Sequence, residues 1–349
     1  MEVNLRQILE TEPVETSAPC RLDMGGTLDL STFFFPLRHL SPCTFNLALD
    51  MRTHVRLTPH REGWVKVSSR GFGAAEFPAD SLPFQHSMGL IFATAAYFQA
   101  SGVHIEINSS SPPRSALGGS SAAVVALITA FSRAQERAGI PILTRHKVAL
   151  LAHALEQSVA GLPCGMQDQL AATFGGAHLW YWPGEAYGSV YRRKKILKKA
   201  DAKRMQRNFL LAYCGAPHNS ADVNAIWVRQ FMAGDYRYHW EEIIRLTQQF
   251  AHCLAEGEIE GACCALNAET RLRQEMTPEV LDEVGTVLAS AAMQYGCGVR
   301  FTGAGGGGCL WALGEAHTLE QLATIWADLL TSRGEAGLLP FAIDSEGVL

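Results

Sequence analysis

The chain lacks any uninterrupted apolar run near the ~20 residues that a membrane-spanning helix needs, so no such span is expected among its 349 residues. It also lacks a surplus of positive charge. Its 29 lysines and arginines face 34 acidic residues, giving −5 with histidine neutral. That balance argues against nucleic acid or a membrane surface as the main partner, because both favour a basic face. The cysteines number nine, an odd count, and no Cys-x-x-Cys pair or Cys/His ligand spacing occurs. A disulfide framework and structural zinc are therefore not expected, and reduced thiols in a cytoplasm fit best. Met1 to Ser17 carries acidic residues and no apolar core, so no secretion signal is expected there. Internal repeats, low-complexity tracts and the Gly-Lys-Ser/Thr ending of a Walker A loop are missing as well.

What is present centres on Ser111-Pro112-Pro113-Arg114-Ser115-Ala116-Leu117-Gly118-Gly119-Ser120-Ser121-Ala122-Ala123. The alternating run Val103 to Asn108 before it reads as a half-buried strand. Ala122 to Phe131 after it, rich in Ala, Val and Leu without Gly or Pro, reads as a buried helix. Strand, stiff turn, small-residue loop and helix start form a cradle for an anion, because free N–H groups gather at a helix N-terminus and glycine lets a ligand approach. The same residues also suit a turn that only packs a helix onto a sheet.

Upstream, Pro19 to Asp29 is a short strand ending in a Gly25-Gly26 turn, with Arg21, Asp23, Thr27 and Asp29 on or beside it. These groups suit a polyol, and an Asx-capped turn accounts for them equally well. Strands are expected at Cys43–Leu49, His54–Leu57 and Trp64–Ser68, with a helix over Ser87–Ala100. Thr144 is placed to cap a helix from Arg145 to Ala160, late in which Glu156 sits. Gly161 to Gly176 follows, with Asp168 as its single charge among small and apolar residues. Such an aspartate either caps a helix or serves chemistry. Nine basic residues between Arg192 and Arg207 read as a solvated face and mark the expected domain boundary, giving domains 1–200 and 201–349. Phe209–Cys214 reads as an apolar strand. Beyond it, helices are expected over Trp240–Ala255, Ile259–Arg273, Pro278–Tyr295 and Leu319–Ser332. Gly303, Gly305 and Gly308 match the spacing of a dinucleotide fingerprint, but they lead into a strand rather than a helix, so that reading fails. A glycine hairpin remains, and its six glycines between Gly298 and Gly308 imply that a ligand or another loop passes close to it.

Three of these segments together resemble the GHMP kinases, the superfamily of galactokinase, homoserine kinase and mevalonate kinase. The loop Pro113 to Ala122 is similar to their ATP-phosphate loop, Arg21 to Asp29 to their substrate motif, and Gly303 to Gly308 to their C-terminal glycine motif. The Met166-Gln167-Asp168-Gln169 centre resembles the sugar-kinase branch, of D-glycero-D-manno-heptose 7-phosphate kinase or L-fucokinase type. The resemblance implies an α+β, two-domain fold with a ribosomal protein S5 domain 2-like N-terminal domain and a ferredoxin-like C-terminal domain. It implies ATP and Mg²⁺ as cofactors and transfer of the γ-phosphoryl group to a hydroxyl, the anomeric one by the sugar-kinase resemblance, of a small-molecule sugar or sugar phosphate. A homodimer is compatible with it.

The roles it implies are specific. Asp168 and Arg21 would be catalytic; Pro113, Leu117, Gly118, Gly119, Ser120, Ser121 and Ala122 would hold ATP; Ser120 and Glu156 would hold Mg²⁺. Asp23, Gly26, Thr27, Asp29, Gly165, Gly305 and Gly306 would contact substrate. The sequence departs from the pattern in three places. Ala116 stands where the family usually has Gly, Asp29 falls one residue early relative to Arg21, and Gly215-Ala216-Pro217-His218-Asn219-Ser220 lacks an expected Arg. A kinase for a non-sugar alcohol, such as a mevalonate relative, and a catalytically silent sugar sensor are the competing readings.

Overall fold

A computed structural model describes residues 4–161, 164–185, 187–215, 220–331 and 333–349, and only the backbone of 220–222. In chain order the elements begin with α1 (Leu5–Thr11), β1 (Val14–Met24), the single turn α2 (Ser31–Phe34), β2 (Cys43–Pro59), β3 (Trp64–Ser69), β4 (Ala75–Pro78), α3 (Gly89–Tyr97) and β5 (Val103–Ser109). Next come α4 (Gly119–Glu136), α5 (Arg145–Ala160), α6 (Gln167–Phe174), β6 (Ala177–Tyr181), β7 (Arg192–Lys195), α7 (Lys199–Met205), β8 (Phe209–Tyr213) and α8 (Ser220–Ala233). The remainder is α9 (Arg237–Glu256), α10 (Ile259–Met276), α11 (Glu283–Gln294), β9 (Gly298–Phe301), β10 (Cys309–Leu313), α12 (Ala316–Leu330) and β11 (Gly337–Leu338).

The 17-residue strand β2 organises the first sheet, whose order is β4-β3-β5-β2-β6-β7 with β1 also paired to β2. One edge of β2 pairs with β1 along nearly its whole length. The other edge takes β5 opposite 53–59 and β6 opposite 43–47. The chain therefore leaves the sheet at the middle of β2, builds α4, α5 and α6, and re-enters at the same level. The sequence reading of two separate strands, Cys43–Leu49 and His54–Leu57, is corrected here. Asp50 and Arg52 keep the backbone extended through tertiary partners: Asp50 Oδ1 accepts from Ala342 N at 2.6 Å, and the Arg52 guanidinium pairs with Asp344. Helix α4 is covered by this arrangement, with Ser121 to Ser132 all buried.

The second sheet is antiparallel, in the order β11-β8-β10-β9. Phe250 of α9 sets its ring 5.0 Å from Phe45 of β2 and 6.1 Å from Trp311 of β10, so one apolar core runs from the first sheet through α9 to the second. A second cluster fills the other side, where Phe33 meets Trp240 at 4.3 Å. The expected helix over Pro278–Tyr295 is split. Pro278–Val280 is a 3₁₀ turn, and Asp282 Oδ1 accepts from Gly285 N at 2.7 Å to cap a new helix at Glu283. Thr144 caps α5 as expected, accepting from Lys147 N at 3.3 Å. Among the described residues no helix is long and apolar enough to cross a membrane.

The last residues fold back over the first sheet. Ser17 and Leu349 exchange backbone hydrogen bonds at 3.0 and 2.9 Å, and Val348 N donates to Thr173 O at the end of α6. Gly347 turns there with φ +75°, and a Cβ on it would lie 2.4 Å from Thr173 O. Gly347→Ala is expected to lower stability by at least the ~1–2 kcal/mol of a left-handed L-residue, read as a shift in the denaturant midpoint at unchanged m-value.

Candidate active site

The loop of residues 110–118 and helix α6 both lie at the midpoint of β2, and β1 passes on the other edge of that strand. Arg21 sits opposite Ala48 in this register. Its backbone N–H donates to Leu117 O at 2.9 Å and its Nη1 to Ala116 O at 2.6 Å, which staples the loop to β1. The rest of the guanidinium forms a fork on Asp168, with Nε to Oδ1 at 2.7 Å and Nη2 to Oδ2 at 2.9 Å. Burial opposes the charge on Arg21, but the Asp168 and Asp23 carboxylates outweigh it and hold the arginine more firmly protonated than usual. Asp168 keeps 24% of its side chain accessible and faces a cavity of about 990 Å³.

Asp168 lies in the first turn of α6, and that turn is held by a residue far away in sequence. Asp29 Oδ2 accepts from Gln167 N at 3.0 Å, acting as the helix cap that Met166 cannot supply. Gly165 has no side chain because a Cβ there would lie 1.8 Å from the Asp29 carboxylate. Burial raises the Asp29 carboxyl to about 6, against the opposing hydrogen bond from Gln167.

The third carboxylate is Glu156. Ser120 Oγ and Ser121 Oγ donate to it at 3.2 and 2.7 Å, and Gln169 Nε2 at 2.5 Å. Burial pushes its carboxyl up. Among the described residues no lysine, arginine or histidine pairs with it. An acid flanked by hydroxyls and without a counter-ion is the donor set a hard cation takes, and it fits Mg²⁺ shared with phosphate oxygens. No group of three or more His, Cys, Asp or Glu able to hold a metal alone occurs among the described residues.

The loop has the geometry of an anion cradle. Gly118 (φ +76°) ends it, and α4 starts at Gly119. Ala116, which stands where the family usually has Gly, also has positive φ, +61°. The glycine hairpin packs on this loop rather than on open space. A Cβ on Gly308 would lie 2.8 Å from Ser115 O, and one on Gly303 would lie 3.4 Å from Ala116 O.

Of the residues expected at the site, Arg21, Gly26, Thr27, Asp29, Pro113, Leu117, Gly118, Gly119, Ser120, Ser121, Glu156, Gly165 and Asp168 line the one cavity. Ala122 is buried in the core instead. Asp23, Gly305 and Gly306 are not on the cavity wall. Asp23 is fully buried, accepting from Gly303 N at 2.7 Å and Arg300 Nη1 at 3.1 Å, while a Cβ on Gly305 would lie 2.4 Å from Val280 O. The sequence reading missed Asn224 and Arg229 of α8, which reach the cavity beside Thr27. Thr27 Oγ1 donates to Asn224 Oδ1 at 3.1 Å. Nothing in the helix pattern of α8 marks them. It also missed Arg70, Phe72, Met88 and Ile91 at the cavity wall. Of the loop Gly215 to Ser220, residues 216–219 lie outside the described residues.

Residues 88–176 match the family model for the GHMP kinases N terminal domain, and residues 257–331 match the one for the GHMP kinases C terminal. The two matched segments, 164 of the 349 residues, are thus similar to the two GHMP kinase domains. The family's members are phosphotransferases, and the α+β two-domain fold is theirs. Mevalonate kinase of Pyrococcus horikoshii is 24% identical over 309 residues, covering 80% of this chain and 84% of that protein. D-glycero-alpha-D-manno-heptose 7-phosphate kinase of Campylobacter jejuni is 46% identical over 65 residues, 19% of this chain and 18% of that one. The crystal structure of Lactococcus lactis galactokinase complexed with galactose superposes with a TM-score of 0.74 at 15% identity, covering 99% of this chain and 100% of that one.

Asp29 gives the protein a pH signature. Because its folded value lies near 6, above the ordinary 3.8, the unfolded chain releases this proton first, and the native state loses stability as pH rises from about 4 to about 6. The rise corresponds to about 3 kcal/mol at most. Asp29→Asn is expected to flatten that part of the stability–pH curve, measured by denaturant unfolding between pH 4 and 8.

Proposed function

We propose that this chain transfers the γ-phosphoryl group of ATP to a hydroxyl of a sugar or sugar phosphate, the anomeric one by its similarity to the heptose kinase. The observation that carries the reading is the Arg21–Asp168 fork, set on the wall of a cavity beside the Gly118–Ser121 loop. Phosphoryl transfer requires an acceptor oxygen held in line, its proton taken, and charge on the phosphoryl oxygens balanced. The loop and the start of α4 direct N–H groups toward the phosphates. Glu156, Ser120 and Ser121 would hold Mg²⁺, which supplies charge neutralisation on those phosphates. Asp168 accepts or orients the acceptor proton, and Arg21 fixes the carboxylate while balancing its charge. Thr27, Asp29, Gln167 and Asn224 supply the hydroxyl, carboxylate and amide groups that suit a polyol.

A kinase of a non-sugar alcohol is the second reading, favoured by the 309-residue similarity to a mevalonate kinase. ADP release with free sugars, sugar 6- and 7-phosphates, mevalonate and homoserine separates the two. Turnover confined to the non-sugar alcohols overturns the sugar assignment, and no turnover with any acceptor favours a silent sensor.

Asp168→Asn keeps the shape of the side chain and removes its basic oxygen. Turnover is expected to fall by about 10²–10⁴, the usual contribution of a positioned base, with ATP affinity by calorimetry nearly unchanged. Arg21→Ala should also lower turnover, and in the double variant the two losses should not add, since the pair acts as a unit. Parent-like single-turnover rates for Asp168→Asn would remove the aspartate from the chemistry.

A further inference from the structure

Behind the Arg21–Asp168 fork lies a set of charges that never reaches the cavity. Asp23 is fully buried between two arginines. Its Oδ1 accepts from Gly303 N at 2.7 Å and lies 3.5 Å from Arg21 Nη1, and its Oδ2 lies 3.1 Å from Arg300 Nη1. Arg300, on β9, is also fully buried. Its Nη1 donates further to Asp23 O at 3.1 Å and Phe301 O at 2.8 Å, and its Nε donates to Glu269 Oε2 of α10 at 2.8 Å. Glu269 accepts a second arginine through Oε1, from Arg273 Nε at 2.8 Å.

We propose that Arg300 and Glu269 are positioning residues for phosphoryl transfer, acting through Asp23 to hold the Arg21 guanidinium in its fork on Asp168. The inference rests on the kinase reading above. The physical reason is competition for Arg21. Asp168 and Asp23 are both carboxylates within reach of one guanidinium, and Asp168 is the one with access to water. An Asp23 left with Arg21 as its sole counter-ion in a dry site would draw Nη1 inward, off Ala116 O, and rotate the fork away from Asp168. Arg300 satisfies Asp23 from the other side, and Glu269 fixes the plane of Arg300 through Nε. Arginine suits this post because its planar fork reaches Asp23, Phe301 O and Glu269 at once, which a lysine cannot do.

The test uses the full chain with its active acceptor. Arg300→Lys keeps the charge and loses the fork, and Glu269→Gln keeps the shape and loses the charge. Each is expected to lower kcat by about 10²-fold, the effect of a displacement near 1 Å at reacting groups, with ATP affinity and acceptor KM close to the parent. Placed in an Arg21→Ala background, the same substitutions should cost no further kcat, because they act through Arg21. A purely structural role would instead lower the thermal midpoint while leaving kcat of the folded fraction intact, or would cost as much with Arg21 absent as with it present. Either result overturns the inference. Hydrogen exchange at the Arg21 Nε–H, read by NMR, compares the parent with Arg300→Lys, Glu269→Gln and the milder Glu269→Asp. Faster exchange in the folded variants is expected, and parent-like exchange in them overturns the proposal. Parent-like turnover in Asp168→Asn would instead sink the kinase mechanism itself. Loss in Asp168→Asn with full kcat in both Arg300→Lys and Glu269→Gln removes this inference alone.

Discussion

A chain of alternating charges, buried in all members but the first, joins the two sheets of this protein: Asp168, Arg21, Asp23, Arg300, Glu269, Arg273. It passes from α6 to β1, across to β9 and into α10, and it ends where Arg273 Nη2 donates to Gly26 O at 2.7 Å. Isolated, each of these ions would cost several kcal/mol to bury, and removing one partner of such a pair typically costs about 3–5 kcal/mol. Alternation offsets that cost, since each of the four inner charges has an opposite neighbour on each side. Arg273 is completed by aromatic faces, lying 4.6 Å from the Trp227 ring and 4.7 Å from the Trp240 ring. The arrangement therefore fixes relative position as well as energy, because a shift of either sheet would strand a charge in a dry core.

Around that chain, three carboxylates face one cavity from different environments. Asp168 is forked on an arginine. Asp29 is buried against a helix N-terminus, with no cation in contact among the described residues, and burial raises it to about 6. Glu156 is surrounded by hydroxyl and amide donors and lacks a counter-ion among the described residues. Identical chemistry thus separates into an arginine-paired acid, a structural cap and an acid ringed by neutral donors, by surroundings alone. The long strand β2 makes the meeting possible: it carries β1 on one edge and both β5 and β6 on the other, so Arg21 and Asp168, 147 residues apart, converge at its centre.

Much of the local structure was legible in the chain. The period of Val103 to Asn108, the apolar run after Ala122 and the cap at Thr144 each act within a few residues, and each formed as expected. The glycine hairpin was legible too, including the near approach of a neighbour, which is the 111–118 loop. Other readings failed where a distant partner outweighed local preference. Asp50 and Arg52 look like a break between two strands, yet residues 342 and 344 hold them extended. Asp29 read as a sugar ligand or an Asx turn, and the cap it gives a helix 138 residues away was not legible.

By itself, the sequence determined the order of strand, loop and helix around residues 111–121, and which segments carry polar groups among apolar ones. It did so because periodicity, capping and glycine conformations are short-range. The pairing of Arg21 with Asp168 entered only through resemblance to a family, and Asn224, Arg229, Arg300 and Glu269 left no mark at all. Tertiary structure alone decided that Asp23 faces inward to Arg300 rather than outward to a ligand. A buried carboxylate goes where the nearest available cation lies, and that distance is set by how two sheets and a shared helix pack, not by spacing along the chain.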